Sequence, residues 1–321
     1  MKRLTPEVQT MLEQKIIPFW LSLKDERYGG FISYVDLDLR RYAKAEKGCI
    51  LNSRILWFFS EAAMLLHNPE LSHAADHAYR FLMRYCVDRK AGGVFWSVTY
   101  DGKPLDTTKH TYNQAFAIYA LSAYYRLTGN PEALQTARQL FQIVEMHCRD
   151  AEGYGESYDR FWNPQSNEKL SENGVMAERT MNTLLHVFEG YSGLYQAAKS
   201  PEVEKELRAL LDIWSEKMFD PEKRRQEVFF DRSYHSLIDL QSYGHDIESA
   251  WLLDWGCDLL GDRELSEKIH RMTDVLAESV LERGFDGEAV CNEIENGVTD
   301  TDRIWCCLLY TSPSPRDSTS S

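Results

Sequence analysis

Asn130-Pro131-Glu132-Ala133 is a complete helix start. The Asn side chain can accept a hydrogen bond from an orphan amide at the N-cap, Pro suits the first helical position, and Glu favours the positive end of the helix dipole. The pattern returns as Thr5-Pro6-Glu7-Val8, Asn68-Pro69-Glu70-Leu71 and Ser200-Pro201-Glu202-Val203, and more weakly as Asp262-Arg263-Glu264-Leu265. The second members of these starts, Pro6, Pro69, Pro131, Pro201 and Arg263, are almost evenly spaced, with the interval from Pro131 to Pro201 the longest. Five unrelated loops would not keep that period, so the chain reads as a repeat protein.

A second series lies midway in each unit: Tyr28-Gly29-Gly30-Phe31, Gly92-Gly93-Val94-Phe95-Trp96, Gly153-Tyr154-Gly155-Glu156, Val228-Phe229-Phe230-Asp231 and Gly284-Phe285-Asp286-Gly287. Glycine permits a turn, and the aromatic and β-branched residues suit a short extended segment. Each unit is therefore predicted as a helix, a Gly-rich loop with a short strand, and a second helix. The second helices, over 49–66, 112–128, 182–198 and 244–260, are the most apolar. The first helices, such as 131–148 and 201–218, carry charge on one side, as a solvent-facing layer should. Two concentric helical rings or an open solenoid would satisfy this pattern. The long unit and its one-sided loops favour the closed form. The predicted class is all-α: an (α/α)6 barrel with short strands in the inter-helix loops, here with about five of six hairpins.

The 321 residues include 36 basic and 50 acidic side chains, for a net charge of −14. That balance argues against nucleic-acid and anionic-membrane partners, which recruit basic surface. Gly and Pro, at 18 and 10 residues, are too few for a collagen-like or generally disordered chain. The 8 Trp and 17 Tyr suit a sugar-like ligand as well as a core. Seven cysteines without a CxxC pair fit a reducing compartment, and the N-terminus lacks an apolar signal region, so a cytoplasmic location is expected. No stretch reaches about 18 uncharged apolar residues, the length of a membrane span.

Polar residues on apolar helices carry the functional information. Arg54, His186 and Glu248 stand at one fixed distance before Pro69, Pro201 and Arg263, a single register in three repeats. Asn113, Asn182 and His245, set slightly farther ahead of Pro131, Pro201 and Arg263, form a second level about a turn earlier. Both levels fall near the N-terminal ends of the inner helices, beside the Gly-rich loops. His245 and Glu248 are i,i+3, as are Glu248 and Trp251, while Asn182 and His186 are i,i+4; each set shares a helix face. A carboxylate beside an imidazole can orient it for acid/base work near neutral pH. A metal held by His186, His245 and Glu248 is one alternative. A glycoside hydrolase using carboxylates among Glu156, Asp159 and Glu248 is another, and a non-catalytic sugar-binding protein a third. No phosphate loop, HExxH or GxSxG motif is present.

Four stretches carry a resemblance: Cys49-Ile50-Leu51-Asn52-Ser53-Arg54-Ile55-Leu56-Trp57, Lys109-His110-Thr111-Tyr112-Asn113-Gln114-Ala115-Phe116, Met181-Asn182-Thr183-Leu184-Leu185-His186 and Gly244-His245-Asp246-Ile247-Glu248-Ser249-Ala250-Trp251-Leu252-Leu253. Over roughly residues 5 to 305 the chain resembles the cellobiose 2-epimerases of the N-acylglucosamine 2-epimerase superfamily. The resemblance implies a cofactor-independent isomerase that epimerises the reducing-end glucose of a β-1,4-linked disaccharide at C2, taking cellobiose to glucosyl-mannose and lactose to epilactose. It implies His245 as a general acid/base oriented by Glu248, and Arg54 as the cation binding O1 and O2 and stabilising a cis-enediolate. His186 would assist ring opening, Tyr112, Asn113 and Asn182 would bind substrate, and Trp251 would shape the wall. It also suggests a monomer, with N-acylglucosamine 2-epimerase or mannose isomerase activity as alternatives within the superfamily.

The family's second acid/base histidine lies in the last inner helix, and no residue of this sequence corresponds to it. Its tryptophan-rich motif begins here as Asp302-Arg303-Ile304-Trp305, and Cys306-Cys307-Leu308-Leu309-Tyr310 departs from it. In the following stretch from Thr311 to Ser321, every residue except Arg316 and Asp317 is Ser, Thr or Pro, a composition that builds no packed helix. The expectation is a barrel domain over 1–305 and a non-native or disordered tail over 306–321. A chain truncated in this way is expected to have little epimerase activity and low stability.

Overall fold

The computed structural model describes residues 6–171 and 173–300. Outer helices α1 (Pro6–Met11) and α2 (Ile17–Ser22) are joined by a π-helical turn, Leu12–Ile16. They lead to the inner helix α3 (Cys49–Leu66). The pattern repeats in α4 (Pro69–Phe81) and α5 (Thr111–Thr128), α6 (Pro131–His147) and α7 (Met181–Ala198), then α8 (Pro201–Ile213) and α9 (Tyr243–Leu260). A fifth outer helix, α10 (Arg263–Arg283), follows. The four inner helices start within one residue of the sequence reading. Trp305 and the Ser/Thr/Pro-rich stretch lie outside the described residues.

The helix starts work as their chemistry requires. Asn68 and Asn130 Oδ1 accept from the Glu70 and Glu132 amides at 2.9 Å, and Asp262 Oδ1 accepts from Leu265 at 3.2 Å. Inner helices pack on one another in the order α3, α5, α7, α9, and each packs on the outer helix that follows it. α5 is buried from Thr111 through Tyr124. α3 is long and apolar enough to cross a bilayer, but 72% of it is buried within the protein and it carries the cation Arg54. The arrangement is that of an (α/α)6 barrel.

Short antiparallel strands stitch successive units at the N-terminal ends of the inner helices. Lys47–Gly48 pairs with Ser97–Val98, Lys109–His110 with Ser157–Tyr158, Arg179–Thr180 with Phe229–Phe230, and Leu240–Ser242 with Glu293–Glu295. The residues just before each inner helix are thus held by the next unit. Val228-Phe229-Phe230-Asp231, read from sequence as the fourth Gly-type turn, instead supplies one of these strands. The turn itself comes earlier, and Arg224, at φ 56°, adopts the left-handed conformation that Gly29 and Gly92 adopt in the first two units.

A stricter repeat marker is an aspartate turn. Asp25, Asp88, Asp150, Asp220 and Asp286 each accept from the backbone amides at the second and third positions ahead of them. In the first three units a buried cation just before the inner-helix N-cap grips this aspartate: Lys47 to Asp25 at 2.7 Å, Lys109 to Asp88 at 3.2 Å and Arg179 to Asp150 at 2.7 Å. The glycines beside these turns answer to close approach. A Cβ on Gly30 would lie 2.6 Å from Phe81 and 2.8 Å from Asn52, and one on Gly93 2.7 Å from Trp162 and 2.8 Å from Gln114. Those amide side chains accept from the next residues of the turns, Phe31 at 3.1 Å and Val94 at 2.7 Å.

Candidate active site

Each inner helix has 18 residues, so equivalent positions can be counted from its first residue. The sixth position holds Arg54, Phe116, His186 and Glu248, and these four side chains converge. The Arg54 guanidinium lies over the Phe116 ring, 4.8 Å from its centroid, and the Phe116 ring lies 4.5 Å from His186. Burial pushes the Glu248 carboxyl above the ordinary carboxylate range, while His186 and Arg54 pull it down and Glu189 adds to the rise. The shared register of Arg54, His186 and Glu248 was legible in the sequence. Phe116 occupies it too, but an aromatic on an apolar helix gives no such signal.

The second position holds Ile50, Tyr112, Asn182 and Gly244. Tyr112 is buried and meets His186 edge-on with centroids 5.1 Å apart. The Asn182 Oδ1 is buried without a hydrogen-bond partner among the described residues, an acceptor left for a ligand. The structure therefore corrects the second level: Asn182 is equivalent to Tyr112, whereas Asn113 and His245 share the third position. Asn113 is fully buried and its Nδ2 donates to the Phe95 carbonyl at 2.7 Å, so it pins the adjoining loop. The ninth position holds Trp57, Tyr119, Glu189 and Trp251. Trp57 stacks on Tyr119 at 5.2 Å, and Trp251 is 50% exposed.

The two histidines have different partners. His186 Nδ1 donates to Glu189 Oε2 at 2.7 Å, and both side chains are buried. Sequence reading missed Glu189; its signal was i,i+3 spacing from His186. His245 is only partly buried, and its Nδ1 lies 2.8 Å from Ser242 Oγ. The expected orientation of His245 by Glu248 thus gives way at Nδ1 to a hydroxyl, and the imidazole–carboxylate hydrogen bond is found one repeat earlier. Loss of water, reinforced by the nearby His186, pushes the His245 ring down to about 3. Leu170, from the loop between α6 and α7, packs against Ile50, Tyr112 and Phe116.

The hydrolase alternative loses two of its three carboxylates and keeps only Glu248 in the pocket. Glu156 is buried, accepting from the Thr180 amide and Thr183 Oγ1, both at 2.6 Å. Burial pushes its carboxyl up to about 7. Asp159 caps a turn through the Phe161 and Asn163 amides. Both carboxylates therefore serve the loop between α6 and α7. Among the described residues no group of three or more His, Cys, Asp or Glu is arranged to hold a metal ion.

The family profile of N-acylglucosamine 2-epimerase (GlcNAc 2-epimerase) matches residues 29–306. A cellobiose 2-epimerase of Eubacterium cellulosolvens is 49% identical over 314 residues, spanning 93% of this chain and 78% of its own. A solved sugar epimerase from a ruminal bacterium superposes with a TM-score of 0.90 at 43% identity, over 92% of this chain and 76% of that one. The cellobiose 2-epimerase of Bacillus thermoamylovorans B4167 superposes with a TM-score of 0.88 at 42% identity, over the same shares. Likeness of this extent in sequence and in fold, around a pocket where Arg54 and His186 flank the Phe116 ring, places the chain in the N-acylglucosamine 2-epimerase family, among the cellobiose 2-epimerases.

Proposed function

We propose that this protein epimerises the reducing-end glucose of a β-1,4-linked disaccharide at C2. The observation that carries this reading is the convergence of Arg54, Phe116, His186 and Glu248 on one level of the inner helices, beside His245. An open-chain aldose has an acidic C2 proton because the neighbouring aldehyde accepts the charge left on its removal. The reaction needs a base at C2 and a cation at the oxygens. Arg54, held over an aromatic face, would supply the positive charge where the enediolate develops. His245, held neutral by its surroundings, would take the proton. His186, backed by Glu189, would exchange a proton with the sugar ring during opening. Tyr112 and the Asn182 carbonyl would bind hydroxyls, and Trp251 would form a wall.

Incubation with cellobiose in D₂O, followed by NMR, tests the reaction. Deuterium at C2 of recovered cellobiose, or of its glucosyl-mannose epimer, is the expected result; exchange at C2 reports proton abstraction without requiring reprotonation from the opposite face. Release of glucose would identify a hydrolase, a ketose as principal product an isomerase, and the absence of C2 exchange would sink the proposal. Arg54→Met should lower the exchange rate by roughly 10²–10³-fold, the usual effect of removing one stabiliser of a developing oxyanion.

A further inference from the structure

Ser242 is the N-cap residue of α9, with extended backbone at φ −95° and ψ 102°. A serine there ordinarily accepts from an amide of the first turn. Thr180, its equivalent on α7, does so, with Oγ1 accepting from Thr183 at 3.1 Å. The Ser242 hydroxyl makes no cap bond; it lies 2.8 Å from His245 Nδ1 instead. Ser242 is buried, at 4% exposure, and its backbone is paired to Glu293 in the neighbouring strand, so the base of its side chain is held in place beside His245.

We propose that Ser242 is the positioning residue of His245, accepting a hydrogen bond from Nδ1–H and so leaving the Nε2 lone pair as the proton acceptor. This rests on the reading of His245 as the base at C2. A neutral imidazole carries one N–H, and a hydroxyl can either accept from that N–H or donate to a bare nitrogen. With Nδ1–H donating to Oγ, Nε2 takes the C2 proton as the C2–H bond breaks and its electron pair passes into the enediolate. The ring becomes cationic while the Nδ1–H to Oγ bond persists, so no reorientation is needed between states.

The choice of a hydroxyl has a consequence that the other histidine exposes. Glu189 offers His186 a carboxylate, which can only accept when ionised. Ser242 offers His245 no negative charge. The ionisable groups acting on this part of the pocket are His186, Glu189, Glu248 and Arg54. Burial, reinforced by the nearby His186, then holds His245 neutral well below neutral pH, which is the form a base requires.

Ring ¹⁵N NMR of the full chain labelled in histidine tests the assignment, with the His245 signals identified by their loss in His245→Gln. The expected result at pH 7 is a neutral ring protonated at Nδ1, shifting toward the Nε2–H tautomer in Ser242→Ala and restored in Ser242→Thr. In C2 exchange, Ser242→Ala should lower kcat roughly tenfold with KM unchanged. A wild-type ring protonated at Nε2 would overturn the proposal without any variant, as would a tautomer indifferent to Ser242→Ala. If the ring behaves as expected but no C2 exchange occurs in the wild type, the enzymatic reading fails while Ser242's control of the imidazole stands. Exchange with a ring unaffected by Ser242→Ala removes only the role of Ser242.

Discussion

The first three units and the fourth secure their inner helices by different chemistry. Lys47, Lys109 and Arg179 precede α3, α5 and α7 and are almost wholly buried against Asp25, Asp88 and Asp150. Before α9 the same position holds Gln241, whose Nε2 donates to Asp246 Oδ2 at 2.7 Å and lies 3.4 Å from Ser279 Oγ. Three helix starts are therefore clamped by ion pairs to a turn in their own unit. The one that presents His245 is held by a side chain without charge. A buried cation there would add field beside a histidine whose neutral form is the useful one.

The largest expected effect comes from breaking a clamp. Lys47→Met leaves Asp25 buried with only backbone donors, and should lower unfolding stability by about 3–5 kcal/mol in urea titration. Replacing Asp25 with Leu in the same chain should recover part of that loss, because a missing pair costs less than an orphaned charge. No change on Lys47→Met would show that the ion pair does not organise the first unit. Gln241→Leu in the fourth unit should cost less, about 1–3 kcal/mol, the desolvation penalty of a buried acceptor.

A smaller effect is read against pH. Burial pushes the Asp246 carboxyl up to about 7, so the folded chain binds a proton there that the unfolded chain releases near 3.8. Its contribution is present below pH 3.8 and is lost as pH rises through 7. Asp246→Asn should accordingly gain stability relative to the parent between pH 4 and pH 8, as measured by unfolding at each pH; parallel curves would refute this. Two histidines run the other way. His110 and His245 are pushed by burial down to about 4 and 3. The fold excludes protons that the unfolded chain takes up below about 6.5, and stability declines as pH falls from there.

Much of this architecture was legible because helix starts are chemically explicit. Asn130, Pro131 and Glu132 announce α6, and the apolar run behind Thr111 announces α5. The π-helical turns at Leu82–Cys86 and Trp214–Met218 were not foreseen, since one extra residue per turn leaves no compositional mark. In the site, Arg54, His186 and Glu248 could be found as charges on apolar helices. Glu189 and Ser242 could not be assigned their partners, because each stands at i,i+3 from its histidine and that spacing is equally consistent with a solvated pair or a plain helix cap. Asn113 and Asn182 share one level only if a one-residue difference in their distances to Pro131 and Pro201 is ignored, and that one residue separates the third helix position from the second. The loop between α6 and α7 carries the added length of the unit that runs from Pro131 to Pro201, and no sequence pattern placed its Leu170 against Tyr112.

The common length of the inner helices has a geometric meaning. At about 3.6 residues per turn, 18 residues complete about five full turns over roughly 27 Å. The chain consequently leaves each inner helix on nearly the azimuth at which it arrived. Both connections can then run to the outer layer without crossing the mouth of the barrel. One added residue would swing the exit by about 100°, toward the cavity or a neighbouring helix. Length variation is thereby steered away from the helices and into the rim, where the third unit has taken it without altering the phase of a single inward-facing side chain.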